Sequence, residues 1–478
     1  MTPTPPARAP RPPVLAAFLP ALLLPTSTVR AASYTVKELK PLAGGNMTDG
    51  RAINAAGHAV GASTDKLPLP WATRWNVPGT TPTVWWGFGD DDFFHSVNAT
   101  DDEVGQALVH TLTVSESYPL LQTGSNLFTL ATPGYSYGVA YCIADRFADP
   151  SFIDTNSIVG AVANALGADP EERAVAWTGN GVMTVLDPLP GGELGTWNVA
   201  YSIDAFGLIG GSSNGKGAIA EQAVVWGPAG SSITTWYNDP ARDNPGVGGG
   251  VRDVSDSYYF AGYYYPGPTP PLVEHACYWD GTPTTHDIGT LYGGNSMALG
   301  VRNHAFTANQ RPVIVGWSDK DKSSNGHFQV AFIWDEVHNM RDLNALIPAN
   351  TGWVLDIAYG VTPDGRIVGS GELGGQPRGF VLVPYTILKL AFGNRGLIVG
   401  GQSAQASLEM SDAAPEDTTI ALRSSSPYAV VPATVTIPRG RSSVGFSIGT
   451  RPVRGPLDAV ISAVRDDDQM TATIRITP

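Results

Sequence analysis

Ala52-Ile53-Asn54-Ala55-Ala56-Gly57-His58-Ala59-Val60-Gly61 is a phrase that this chain of 478 residues says more than once. It returns as Ser96-Val97-Asn98-Ala99-Thr100-Asp101-Asp102-Glu103-Val104-Gly105, with the same seven-residue step from Asn to the last Gly. It returns again as Gly360-Val361-Thr362-Pro363-Asp364-Gly365-Arg366-Ile367-Val368-Gly369 and as Val254-Ser255-Asp256-Ser257-Tyr258-Tyr259-Phe260-Ala261-Gly262. Ser202-Ile203-Asp204-Ala205-Phe206-Gly207-Leu208-Ile209-Gly210 reads as a copy one residue shorter, and two more copies end in Ile158-Val159-Gly160 and Ile314-Val315-Gly316. The closing glycines are thus 61, 105, 160, 210, 262, 316 and 369, a beat of 44 to 55 residues. Each copy reads as two short strands around a tight turn, with Asp-Gly or Ala-Gly supplying the positive φ such turns need. A glycine closing a strand pattern predicts a close backbone approach or a bulge.

Other phrases keep the same beat. Arg173-Ala174-Val175-Ala176-Trp177, Gln222-Ala223-Val224-Val225-Trp226, His275-Ala276-Cys277-Tyr278-Trp279 and Gln329-Val330-Ala331-Phe332-Ile333-Trp334 are short apolar runs that predict a third, buried strand. Ala72-Thr73-Arg74-Trp75 and Arg378-Gly379-Phe380-Val381-Leu382 fill that slot at the two ends. A fourth strand is expected at Thr184-Val185-Leu186 or Asp287-Ile288-Gly289-Thr290-Leu291, before a Gly-Gly loop. Four strands in about fifty residues is the size of a propeller blade. The expectation is an all-β chain with a β-propeller of seven four-stranded blades. Residues 97–137 lack the Trp phrase, which leaves six blades as the alternative count, and an open solenoid would have the same period. Residues 34–42 read as a fourth strand without its first three, placed to complete the last blade and hide its edge.

The Ala-Phe-x-Trp strand, the Leu-Gly-Gly loop (Leu42-Ala43-Gly44-Gly45-Asn46, Leu291-Tyr292-Gly293-Gly294-Asn295) and the Ile-Asn-x-x-Gly-x-Val-Gly hairpin resemble the HAF repeat family of secreted bacterial proteins over residues 34–384. His275-Ala276-Cys277 and Val330-Ala331-Phe332 are the nearest matches to the signature His-Ala-Phe. The resemblance implies an exported repeat protein and brings no catalytic residues with it.

Residues 385–478 change register. Thr419-Ile420-Ala421-Leu422, Thr434-Val435-Thr436-Ile437, Val444-Gly445-Phe446-Ser447-Ile448 and Thr473-Ile474-Arg475-Ile476 alternate apolar and polar, as half-buried antiparallel strands do. The stretch from Gly400-Gly401 through Val431-Pro432 is similar to the immunoglobulin-like modules of bacterial surface proteins, which implies a β-sandwich here without a disulfide. The expected division is therefore a signal peptide at 1–31, a propeller at 32–384 and an immunoglobulin-like sandwich at 385–478.

The signal reading rests on Arg8 and Arg11, the apolar run Val14 to Leu24, and Val29-Arg30-Ala31 before a cut at Ala32. Eleven apolar residues are too few to span a bilayer. The chain carries a formal net charge of −14, and with residues 1–31 removed 26 basic face 43 acidic residues. That balance disfavours binding to phosphate backbones or anionic membranes and excludes nucleic acid as the expected partner. Cys142 and Cys277 fall in separate repeat units, so two buried thiols are expected rather than a disulfide.

Candidate chemistry is sparse. Gly211-Ser212-Ser213-Asn214-Gly215 matches G-x-S-x-G, and Gly369, Gly371 and Gly374 spell G-x-G-x-x-G, but a strand follows each where a helix is required. Asp319-Lys320-Asp321-Lys322-Ser323 opens like a calcium loop, yet Ser324 and Val330 stand where Gly and Glu are wanted; no cofactor is expected, calcium being the one alternative. Asp90-Asp91-Asp92 with Asp101, Asp102 and Glu103 is the densest acidic patch, read as solvated turn against acid/base or cation chemistry. Tyr258-Tyr259-Phe260-Ala261-Gly262-Tyr263-Tyr264-Tyr265 is read as blade packing against a sticky surface. The eight histidines (His58, His95, His110, His275, His286, His304, His327, His338) lack zinc-site spacing. No catalytic or metal residue is assigned, and the ligand residues are left open. The function expected is binding or scaffolding by a non-catalytic protein secreted or held at the cell surface, its partner a surface polysaccharide or protein. The alternatives are a propeller hydrolase or lyase acting on polysaccharide and a structural envelope component.

Overall fold

The computed structural model describes residues 33–478 apart from 68, 78–80, 85–90, 111–114, 146–155, 165–171, 190–196, 215–220, 229–231, 237–247, 268–271, 283, 302–310, 321–328 and 467. The signal reading of 1–31 lies outside the described residues. The chain is all-β, with only short 3-10 turns among its described helical elements. Among the described residues no helix is long and apolar enough to cross a membrane.

Seven antiparallel groups of four strands follow one another. Unit 1 is Thr48–Ile53, His58–Thr64, Pro70–Asn76 and Thr81–Val84. Unit 2 is Asp91–Val97, Glu103–His110, Ser115–Thr123 and Asn126–Thr129. Unit 3 is Tyr137–Ile143, Asn156–Ala163, Arg173–Thr178 and Met183–Val185. One parallel bridge, Tyr137 to Ser117, joins units 2 and 3 into an eight-stranded sheet. Unit 4 is Asn198–Ile203, Ile209–Ser213, Gln222–Trp226 and Ile233–Trp236. Unit 5 is Gly249–Val254, Phe260–Tyr264, His275–Trp279 and His286–Gly289. Unit 6 is Ser296–Val301, Ile314–Asp319, Gln329–Asp335 and Asn339–Asp342. Unit 7 takes Trp353–Val361, Ile367–Leu373 and Gln376–Pro384, and its fourth strand is Tyr34–Glu38 from the other end of the array.

One local device recurs in every unit. The pairing of the first strand with the second slips by one residue, leaving Arg51, His95, Tyr141, Tyr201, Arg252 and Leu299 out of register in units 1 to 6. Unit 7 slips twice, at Asp356 and Tyr359. Such a bulge pushes a carbonyl toward the facing strand. The facing residue is Gly61, Gly105, Gly160, Gly211, Gly262, Gly316 or Gly369. A Cβ on any of them would overlap the carbonyl oxygen of Asp49, Phe93, Val139, Val199, Gly250, Met297 or Ile357. The closing glycines are therefore the condition for the bulge. The sequence reading misplaced one of them: Gly211, not Gly210, faces the slip in unit 4. From Asp204 to Gly211 is the usual seven-residue step, so the copy is not shortened. Gly210 is small for another reason, since a Cβ there would meet Val251 and Val254 of unit 5.

The third strand places a fully buried Trp75, Trp177, Trp226 or Trp279 opposite an apolar residue of the second. Trp75, Trp177 and Trp226 each donate Nε1–H to a carbonyl in the connection entering their own unit: Lys40, Ala131 and Asp187, at 2.8 to 2.9 Å. Buried indoles bring large apolar area and satisfy their one donor this way. Unit 2 has four strands without the Trp. Glu103 faces Gln122 in that slot, and the fully buried Glu103 pairs with Arg74 of unit 1.

The apolar cores lie between units rather than within them. Val60 and Ala72 meet Phe94 and Val97. Val104 and Leu121 meet Ile158 and Trp177. Ala174 and Ala176 meet Ile203 and Trp226. Val225 meets Val251 and Phe260, Tyr278 meets Ile314 and Phe332, and Val315 and Ile333 meet Leu355 and Ile367. Val368 and Val381 of unit 7 then meet Ala59 and Trp75 of unit 1, so the order of neighbours returns to its start.

Residues 385–478 form two further sheets that face each other over one core, containing Leu408, Ile448, Ile420, Ile461 and Ile474. Strict burial alternation, as in Ser403–Met410, matches the alternating sequence. A short span ties this module to unit 7: Asp412 accepts from Thr35 Oγ1 (2.9 Å) and pairs with Lys37 Nζ (2.5 Å), while within the module Arg465 donates to the carbonyl of its first residue, Tyr385 (2.8 Å).

Candidate functional site

Seven of the eight bulged residues, one from each unit, converge. Arg51, His95, Tyr141, Tyr201, Arg252, Leu299 and Tyr359 all line one cavity of about 520 Å³. The lining of each of the seven units begins at this residue and runs on toward its first turn: Ile53 to Ala55, Val97 and Ala99, Ile143 and Asp145, Ile203 to Ala205, Val254 and Asp256, Val301, and Val361 to Pro363. The cavity is thus a cup floored by bulge side chains and rimmed by turns. Its size is that of a small-ligand site.

The floor is an ordered set of contacts. His95 and Tyr141 have ring centroids 5.6 Å apart, and Tyr141 and Tyr201 are 5.5 Å apart. The Arg252 guanidinium lies 4.0 Å over the Tyr201 ring and 5.3 Å from that of Tyr263. Arg51 lies 4.5 Å over Tyr359 and hydrogen-bonds Asp49 at 2.6 Å. Stacking of this kind holds a guanidinium flat while leaving its edge free to donate. Burial, with the nearby Arg51 charge, pushes the His95 imidazole down to about 3, against a weaker pull from Gln106, so it is neutral at ordinary pH. Burial pushes the Tyr359 phenol up to about 12 and raises Tyr141 as well. The floor therefore holds two cations and no anion, in a protein with an excess of fourteen negative charges.

In units 2 to 5 the residue after the bulge contributes to a partial hoop that ties these units to one another and to unit 6. Ser96 Oγ contacts Cys142 Sγ (3.8 Å), Cys142 Sγ contacts Ser202 Oγ (3.9 Å), and Ser202 Oγ donates to Asp253 Oδ1 (2.8 Å). Asp253 Oδ2 accepts the Val301 N–H of unit 6 (2.8 Å). Burial raises the Asp253 carboxyl to about 6 and the Cys142 thiol to about 11, so this thiol is a packing and hydrogen-bonding group rather than a nucleophile. At the rim, Asp145 and Asp256 accept backbone N–H groups of Ala99 (2.6 Å) and Ala205 (2.9 Å) in the preceding unit. Asp204 accepts from Phe206 and Leu208 and is raised to about 6, burial being the first cause.

None of the floor residues was singled out from the sequence, apart from His95 as one of eight histidines. A signal existed: each stands three residues before the turn residue, as Arg51 before Asn54, His95 before Asn98, Tyr201 before Asp204, Arg252 before Ser255 and Tyr359 before Thr362. The residues singled out fall elsewhere. Ser212 and Ser213 are buried within a strand, and Ser213 Oγ accepts the Leu189 N–H. Gly369 and Gly371 lie in a strand that turns at Gly374 into the next one. Asp319 is buried and bound to Asn295, while the remainder of that calcium reading, 321–328, lies outside the described residues. Asp101 and Asp102 sit in the turn and Glu103 in the core, whereas Asp90 is not among the described residues. Of the tyrosine run, Tyr258 sits at an exposed turn and Tyr263, Tyr264 and Tyr265 are buried, the last two donating to Asp287 and Glu274. Cys142 and Cys277 are free thiols. His304 and His327 lie outside the described residues. Among the described residues, no three His, Cys, Asp or Glu side chains gather as a metal site would.

No protein-family model matches the chain, and no curated protein matches it.

Proposed function

We propose that this chain is an exported, non-catalytic binding protein of the HAF repeat type: a seven-bladed β-propeller carrying an immunoglobulin-like module, acting outside the cell or at its surface. One observation carries the reading. Seven variable side chains are delivered to one cavity by a bulge that every repeat preserves, so the scaffold is constant and the cup is where this chain differs from unit to unit. Arg, Tyr and His on such a floor stack on and hydrogen-bond a ligand. The immunoglobulin-like module then serves as attachment or spacer.

The competing reading, a hydrolase or lyase acting on polysaccharide, draws on Asp204 and Asp253, whose carboxyls are raised to about 6 beside the cup. Both oxygens of Asp253 are engaged by Ser202 and backbone N–H groups, and Asp204 Oδ1 by two backbone N–H groups, which favours a structural use, while Asp204 Oδ2 is buried without a partner. Glycan-array binding and hydrolysis assays on the full chain separate the two. Saturable binding without turnover is the expected result; turnover lost in Asp204→Asn would sink it.

A further inference from the structure

Arg252 is a cation in an unusual position. It is half-buried in the cup floor, its Nε is buried without a hydrogen-bond partner, and among the described residues no carboxylate lies within ion-pair distance of it. Its neighbour in sequence, Asp253, is turned to Ser202, Val254 and Val301. Burying a charge without an ion-pair partner is costly, and two tyrosine faces, the Tyr201 hydroxyl and the more distant Glu221 charge offset only part of that cost. Arg51, also on the floor, is partly neutralised by Asp49. The floor thus offers one guanidinium without an ion pair, held against Tyr201 and Tyr263 with the Glu221 charge acting on it from further off, and flanked by neutral hydroxyls, a neutral imidazole and aromatic faces.

We infer that the cup receives the carboxylate of an acidic sugar unit, with Arg252 as its counter-ion and Tyr201 and Tyr141 against the sugar ring. This rests on the reading of the cup as the binding site and adds the ligand class. A guanidinium fork matches a carboxylate bidentately. Phenols and a neutral imidazole match hydroxyls, since each both donates and accepts. Tyr faces match the C–H side of a pyranose. A free phosphate would use the guanidinium but leave the aromatic wall idle. Four aspartates also line the cup, but Asp145, Asp256 and Asp204 Oδ1 accept backbone N–H groups, Asp253 is bound to Ser202 and Val301, and burial raises the carboxyls of Asp204 and Asp253.

The test is calorimetric titration of the full chain with a galacturonate trisaccharide, the neutral galactose trisaccharide and inorganic phosphate. The acidic sugar is expected to bind at least about tenfold tighter than the neutral one and to weaken as salt is raised. Arg252→Gln is expected to erase the preference with a thermal midpoint close to that of the parent, and Arg252→Lys to retain part of it. Equal binding of both sugars, lost in Tyr201→Ala, would leave the cup as a binding site and overturn its acid specificity. Phosphate binding as tight as the acidic sugar would overturn the sugar assignment. Binding of none of the three would overturn this inference, while the binding reading itself is decided by the glycan array. The acidic-to-neutral ratio and its salt dependence are read on the parent chain, so neither depends on a variant folding.

Discussion

The array of residues 34–384 and the module of 385–478 are both built of β-strands, yet they solve burial in opposite ways. The module encloses one core between two sheets, from Tyr385 to Ile476. Among the described residues the array spreads its apolar side chains over eight small clusters, each shared by two neighbouring units. In the module a strand needs only alternation, and its inner faces take whatever apolar side chain fits. In the array each first strand must also bulge, and the bulge demands glycine opposite. Tolerance to substitution should therefore differ sharply between the two regions.

The sharpest contrast is between two glycines. Gly262→Ala sets a methyl against the Gly250 carbonyl and should cost about 3 kcal/mol or more, or prevent folding. Gly449→Ala in the module meets nothing closer than Val430, 4.0 Å away, and should stay within about 0.5 kcal/mol. Urea denaturation of both variants measures the difference; equal costs would break the comparison. Next comes core truncation. Trp226→Ala removes a buried indole and its bond to Asp187 and should cost about 3–5 kcal/mol, against about 1 kcal/mol for Ile461→Val in the module core. Hydrogen exchange should show the loosening of units 3 and 4 in the first and of the module alone in the second.

Protonation gives a third contrast, because Asp253 is a buried carboxyl within the hoop of the array. Its pKa is raised above the unfolded value, so the folded state holds its proton more tightly. The associated stability is fully present below the unfolded pKa near 4 and is lost as pH rises through about 6. Asp253→Asn should flatten the change in unfolding free energy between pH 4 and pH 7 by roughly 2 kcal/mol. An unchanged slope would place that proton elsewhere. Smallest is the joint between the regions. Asp412→Ala removes the contacts with Thr35 and Lys37, half-screened by solvent, and should cost about 1 kcal/mol. Calorimetry should then resolve the melting of the module from that of the array.

Much of this architecture was legible because backbone necessity leaves marks. The glycines at 61, 105, 160, 262, 316 and 369 and the Trp slots are constrained by sterics, and so they repeat visibly. Gly210 was mistaken for Gly211 because two glycines stand together for two different reasons. Unit 2 hid its third strand since a buried Glu103 and Gln122 replace the apolar pair. The cup was invisible for the converse reason. Its position is fixed by the bulge, but its residue types are not, and Arg, His, Tyr and Leu at one offset do not read as a motif.

The strand Tyr34–Glu38 has a kinetic consequence. Its partner runs from Phe380 to Pro384, about 350 residues downstream. During synthesis the first ordered strand must wait, edge open, until nearly the entire array has been made. Loop closure of that length is slow and leaves a strand available for pairing with other chains in the interval. The final step of assembly then joins the oldest segment of the array to its youngest, and stability arrives all at once rather than unit by unit.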